Sequence, residues 1–155
     1  MNNFIFKTHS KNIAIVLMIA IFFIIDRYLK ILALNNALNP PIKIAGDIFS
    51  FSFTANYYMA FSLPFGGWAL NIIILFIIIA LFYYIFYLIL NKKNQETNIV
   101  LLTIILFGAI SNILDRFVCG YVIDYLELRY FTVFNLADVM ISLGALIMIL
   151  KNFKR

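Results

Sequence analysis

The 155-residue chain is short of charge, cysteine and histidine, and each shortage excludes something. Only 12% of its residues are charged while 65% are hydrophobic, and the mean hydropathy is +1.00. A soluble domain carries about a quarter charged and about half apolar residues. A water-soluble globule this small could not hide so much apolar surface, so the fold belongs in lipid. One cysteine, Cys119, excludes an internal disulfide and a cysteine-rich metal site. One histidine, His9, reads as a solvated residue near the N-terminus and leaves no histidine-based centre. Ser62 and Ser111 therefore lack a base, which argues against a serine hydrolase. No metal and no cofactor is expected. Disorder, a collagen repeat, internal repeats and low-complexity linkers are also absent, and the length suits one domain, residues 1–155.

What is present is a set of long apolar runs. A bilayer core of roughly 30 Å takes about 20 helical residues, and four stretches qualify: about Asn12–Leu34, Trp68–Leu90, Asn98–Val118 and Thr132–Leu150. The expected fold class is an all-α membrane protein of four transmembrane helices. The first run could pass for a signal peptide after Lys7 and Lys11. However, Asp26-Arg27 stands where a small-residue cleavage site belongs, so the helix is expected to be retained.

Loop charge gives the expected orientation. The N-terminus (Lys7, Lys11), the connection after the second span (Lys92, Lys93) and the C-terminus (Lys151, Lys154, Arg155) hold seven of the twelve Lys and Arg. Of the seven acids only Glu96 shares that side. The positive-inside rule then puts both termini in the cytoplasm of a multi-pass protein. The net charge of +5 is a topology signal, and no nucleic-acid partner is expected.

Between the first two spans, Asn39-Pro40-Pro41 breaks the helix. Phe49, Phe51 and Phe53 then alternate with Ser50, Ser52 and Thr54, the pattern of a strand with one apolar face. Its backbone cannot face hydrocarbon unpaired. It is either an interfacial hairpin closing the bundle or a small extracytoplasmic sheet shaping an entrance. Pro64, Gly66 and Gly67 end the segment, and Trp68 suits an interfacial anchor.

The unusual polar residues gather toward one end of the spans, where they are costly. Asp26 and Lys30 lie four apart, the spacing of a helical ion pair. Gly108, Asn112 and Arg116 repeat at intervals of four beside Asp115, and Asn135 and Asp138 lie three apart. Asparagines in spans often only join helices, and Asp115 beside Arg116 could be a structural brace. Asp138 has no cation on its own helix, and its candidate partners are Asp115 and Asp124. Two carboxylates held together share one proton, so that one activates a water while the other protonates a carbonyl oxygen. That is aspartic-protease chemistry. Spacing leaves the choice between Asp115 and Asp124 open.

The stretch Gly108-Ala109-Ile110-Ser111-Asn112-Ile113-Leu114-Asp115-Arg116, with Gly120-Tyr121-Val122-Ile123-Asp124-Tyr125 and Phe134-Asn135-Leu136-Ala137-Asp138, resembles the motifs of the lipoprotein signal peptidase (signal peptidase II) family. Asp26 with Lys30, and Asn56 followed by Ala60-Phe61-Ser62, add to the likeness. The resemblance implies a bacterial cell-membrane aspartic endopeptidase that cuts prolipoproteins before a diacylglyceryl-modified cysteine. Its catalytic pair would be Asp124 and Asp138, near the extracytoplasmic surface. Asn56, Asn112, Arg116 and Asn135 would bind substrate, with Asp26, Lys30 and Asp115 in support. The expected partners are the lipid-modified prolipoprotein and membrane lipid, and a monomer is the expected working form.

The chain departs from the family pattern at Tyr58 and Met59, where glycine and alanine are usual, at Leu29, where a small hydroxyl residue is usual, and in a short link from Asp124 to Asp138. The rival readings are an inactive paralogue that binds lipidated peptides and a small proton-coupled transporter with Asp138 as carrier. The near-absence of polar residues in the inner halves of the spans argues against the transporter.

Overall fold

The computed structural model describes residues 2–35, 41–58, 67–91 and 95–153, with residues 2–13 as backbone only. The side chains of Lys7, His9 and Lys11 lie outside that description. So do Asn39, Pro40, Met59, Ala60, Phe61, Ser62, Pro64, Gly66, Lys92, Lys93, Lys154 and Arg155. The apolar runs form four helices: α1 (Asn2–Leu34), α2 (Gly67–Leu90), α3 (Glu96–Val118) and α4 (Leu136–Phe153). By length and composition α2, α3 and α4 can each cross a membrane. Among the described residues this criterion identifies three spans where four were expected; α1, the longest helix, carries Asp26, Arg27 and Lys30 within five residues.

A four-stranded antiparallel sheet sits at one end of the helices in the order β1 (Ile42–Ala45), β2 (Phe49–Asn56), β3 (Val122–Leu128), β4 (Val133–Phe134). The expected strand is β2. The other three were not anticipated. The alternation that marked β2 holds only in part, because a register shift between Phe51 and Thr54 interrupts its pairing with β3. Phe51 packs on Tyr125, whereas Phe53 is exposed and tilts over Tyr121. Ser52 is buried instead, donating to Glu127 Oε2 at 2.9 Å, and Ser50 donates to the same oxygen at 3.2 Å.

Two boundaries matter for the site. α3 ends at Val118 with Cys119 as its cap, and Gly120, with a φ of 83°, turns the chain away from the helix toward β3, a conformation that glycine adopts without a Cβ penalty. The fourth span was expected from Thr132, but the helix begins at Leu136. Val133 and Phe134 are drawn into the sheet opposite Glu127 and Leu126, and Asn135 caps the helix. The short link from Asp124 to Asp138 is thus a hairpin.

Packing has two centres. Near the sheet, Ala33 of α1 meets Ile123 and Tyr125 of β3, with Leu29, Phe51 and Leu136 around them. Leu29 is therefore packing where the family pattern has a hydroxyl. Further along the helices, Ile85 and Leu88 of α2 meet Leu102 and Leu106 of α3. α3 and α4 approach closely because two glycines face the contact. A Cβ on Gly108 would lie 2.7 Å from the Ala137 carbonyl oxygen, and one on Gly144 would lie 2.7 Å from Ile105 Cγ1.

Candidate active site

α4 begins beside β3, and its first free N–H groups are all taken by side chains. A helix start leaves such donors without intrahelical partners. Leu136 N–H donates to the Tyr125 hydroxyl (3.0 Å), Ala137 N–H to Asp26 Oδ1 (3.2 Å) and Asp138 N–H to Asn135 Oδ1 (2.9 Å). Asn135 N–H donates back to Asp138 Oδ2 (3.3 Å). The Asn135–Asp138 spacing is therefore a reciprocal capping box, and it fixes the Asp138 carboxylate at the mouth of α4.

Asn135 also reaches β3. Its Nδ2 donates to Asp124 Oδ1 (2.7 Å) and to Asn112 Oδ1 (3.2 Å). Asn112 Nδ2 donates to Asp138 Oδ1 (2.7 Å), and Asn56 Nδ2 donates to Asp124 Oδ2 (2.9 Å). Three asparagines from β2, α3 and the α4 cap thus hold Asp124 and Asp138 on one side of the molecule. Both line a cavity of about 890 Å³, together with Asn56, Asn112 and Arg116. Its walls are otherwise largely apolar, including Ile74, Ile77 and Ile78 of α2 and Ile141 of α4. Arg116 Nη2 donates to the Tyr58 carbonyl (2.8 Å), while Tyr58 N–H donates to Asn56 Oδ1 (3.1 Å), so the end of β2 is tied to α3.

Asp115 points elsewhere. Fully buried, it pairs with Arg27, accepts Lys30 Nζ at 2.7 Å, and accepts Ile123 N–H at 3.3 Å. Lys30, also fully buried, pairs in addition with Asp26 Oδ2 (3.1 Å) and donates to Asn112 Oδ1 (2.8 Å). Asp26 accepts the Ser111 hydroxyl (2.5 Å) and the Tyr125 hydroxyl (2.8 Å). Two acids and two bases thus cancel beneath the cavity, which is what makes their burial tolerable. Sequence reading missed Arg27, Ser111 and Tyr125 as members of this network. Ser111 lies four residues before Asp115 on one helix face, and Tyr125 follows Asp124 on the opposite face of the strand. Those spacings were the available signals.

The electrostatics separate the two kinds of carboxylate further. Burial, then the neighbouring Asp138 charge, push the Asp124 carboxyl up to about 7, against opposing hydrogen bonds from Asn56 and Asn135 and the charge of Lys30. Asp124 is therefore a carboxyl that holds a proton near neutrality, beside a second carboxylate on the same cavity.

A family model described as signal peptidase (SPase) II matches residues 18–154. A lipoprotein signal peptidase of Halothermothrix orenii is 32% identical over 135 residues, covering 86% of this chain and 91% of that protein. One from Clostridium tetani is 33% identical over 141 residues, covering 87% and 89%. Among solved structures, a bacterial membrane enzyme determined by the in meso method at 2.3 Å aligns with a TM-score of 0.77 at 18% identity. That alignment covers 91% of this chain and 88% of the other. A second such enzyme, at 1.9 Å, aligns with a TM-score of 0.75 at 22% identity, covering 91% and 93%. At these identities the structural likeness speaks for the fold.

Proposed function

Because the chain belongs to the signal peptidase II family, we propose that it is a membrane aspartic endopeptidase that removes the signal peptide from diacylglyceryl-modified prolipoproteins. The observation that carries the reading is the pairing of Asp124 and Asp138 across Asn135 on one cavity, with Asp115 committed to Arg27 and Lys30. Asp124 holds the proton and donates it to the scissile carbonyl oxygen. Asp138 takes a proton from a water held between the two, and that water attacks the carbonyl carbon. In the collapse of the tetrahedral intermediate Asp138 passes its proton to the nitrogen and a hydroxyl of the intermediate returns one to Asp124. The peptide bond breaks, the amine of the lipidated cysteine is freed and the signal peptide ends in a carboxyl group. Arg116 directs further donors toward substrate carbonyls, while Asn56, Asn112 and Asn135 hold the dyad. Lys30 holds Asn112, Asp26 holds the start of α4, and Asp115 holds Lys30 and the Ile123 N–H in turn. Such positioning supplies several kcal/mol of the barrier reduction, out of roughly 7–11 available.

In this reading α1 is a fourth span. Its charges are compatible with lipid because Asp26 and Lys30 are buried and Arg27 is paired inward. Both termini lie in the cytoplasm, the sheet rests on the extracytoplasmic surface of the bacterial cell membrane, and the protein works as a monomer. The apolar walls of the cavity suit a signal helix and acyl chains entering from the bilayer. Incubating the purified protein with a diacylglyceryl-modified prolipoprotein tests the reading. The expected result is a shorter, still lipidated product, with no cleavage of the unmodified form. Binding of the modified protein without cleavage would contradict it.

A further inference from the structure

A peptide cut by a carboxylate dyad must present an extended main chain, because a helix buries its amides in its own hydrogen bonds. The stretch of signal peptide beside the scissile bond therefore unwinds in a largely apolar cavity, where each freed N–H and C=O needs a partner. The polar side chains around Asp124 and Asp138 supply few acceptors. The side-chain oxygens of Asn56, Asn112 and Asn135 already accept bonds from Tyr58 N–H, from Lys30 and Asn135, and from Asp138 N–H respectively. Arg116 offers donors only.

The sheet supplies the missing groups. Of its two edge strands, β1 takes no part in the cavity, whereas Val133 and Phe134 of β4 line it. Leu128 N–H donates to Thr132 O at 3.0 Å, and Val133 lies opposite Glu127 in the next register position. In an antiparallel ladder, alternate residues turn their main-chain groups away from the partner strand. Val133 is such a residue. Among the described residues its carbonyl accepts the hydroxyl of its neighbour Thr132, at 3.2 Å, and no described strand pairs with this edge. A free strand edge is a template for one more strand.

We propose that the main chain of Val133 is a substrate-binding element, adding the unwound peptide flanking the scissile bond to the sheet as a short antiparallel or parallel strand. The proposal rests on the peptidase reading and assigns it a subsite. Val133 N–H would donate to a substrate carbonyl and Val133 C=O would accept a substrate N–H. These contacts are blind to side-chain identity, as an enzyme acting on many lipoproteins requires.

The test is an N-methyl scan of a diacylglyceryl-modified prolipoprotein peptide across the residues on either side of the cleavage point, read as KM and kcat with the wild-type enzyme and with Val133→Pro. Proline removes the outward N–H without touching the bonds to β3, and edge strands tolerate it. With the wild type, methylation should raise KM at the single position whose N–H meets the Val133 carbonyl, by roughly 5–10-fold for the loss of a main-chain hydrogen bond. Val133→Pro should raise KM for the unmethylated peptide by a similar factor and keep the wild-type pH dependence, while the methylation penalty at the paired position persists because the carbonyl at 133 is unchanged. Wild-type cleavage with a flat scan overturns the proposal even if the proline variant fails to fold. Absence of any wild-type cleavage overturns the peptidase reading and this inference with it.

Discussion

Asp124→Asn is expected to abolish cleavage and yet make the protein harder to unfold above neutral pH. In the folded chain the Asp124 carboxyl holds its proton up to about 7 against an ordinary value of 3.8. Between those values the unfolded chain has released the proton and the folded chain has kept it. Stability therefore falls as pH rises through this window and levels off above it. The full shift, at about 1.36 kcal/mol per pH unit, amounts to roughly 4 kcal/mol at pH 8 and less than about 2 at pH 5. Asparagine is neutral throughout and escapes the penalty. It has one oxygen where the carboxylate accepts from both Asn56 and Asn135, and the lost bond costs about 1 kcal/mol. The net gain is then roughly 3 kcal/mol at pH 8 and under about 1 at pH 5, or several degrees in Tm at the higher pH. Thermal unfolding of both proteins in the same detergent at the two pH values reads this directly. An Asn variant that gains no more at pH 8 than at pH 5 would refute the reasoning.

Other consequences follow from the same geometry. Wild-type cleavage should decline as pH rises past about 7, where Asp124 gives up the proton it donates, as a pH–rate profile in bilayer mimetics will show. Lys30→Met leaves Asp26 and Asp115 short of a cation, and should cost about 3–5 kcal/mol of stability, read as a large drop in Tm or in yield of folded protein. Tyr125→Phe removes a donor to Asp26 and an acceptor for Leu136 N–H. It should lower stability by about 1–3 kcal/mol, measured by Tm. Gly108→Val forces a side chain against the Ala137 carbonyl and Ile141. It should push α4 from α3 and reduce kcat, with Gly108→Ala showing a milder loss of the same kind.

The helices were legible because long apolar runs in lipid leave few alternatives to a helix, and α2 and α3 fall within two residues of their expected ends. The hairpin of β3 and β4 was harder to see. Residues 122–128 carry two acids and follow a helix without a proline, so nothing in their local pattern announces a strand. Only the positive φ at Gly120 turns them out of α3. The start of α4 was misplaced for a related reason. Val133 and Phe134 are as apolar as the helix they precede, and the signal that the helix begins later is the Asn135–Asp138 cap, which in the sequence is only a spacing of three. The residues around the site were visible as polar intrusions into apolar sequence, but their partners were not. Spacing could not distinguish Asp115 from Asp124, since the difference lies in contacts with Arg27 and Lys30, more than 80 residues away along the chain.

Single-turnover cleavage of a diacylglyceryl-modified prolipoprotein by the wild type and by Asp124→Asn, Asp138→Asn and Asp115→Asn probes the shared-water dyad most directly. The two dyad variants should each fold and lose at least about a thousandfold in rate, the scale of a missing catalytic acid or base together with its partner's lost function. Asp115→Asn should lose stability first and keep measurable cleavage in whatever fraction folds. Substantial cleavage by folded Asp138→Asn, or loss confined to Asp115→Asn, would contradict the account.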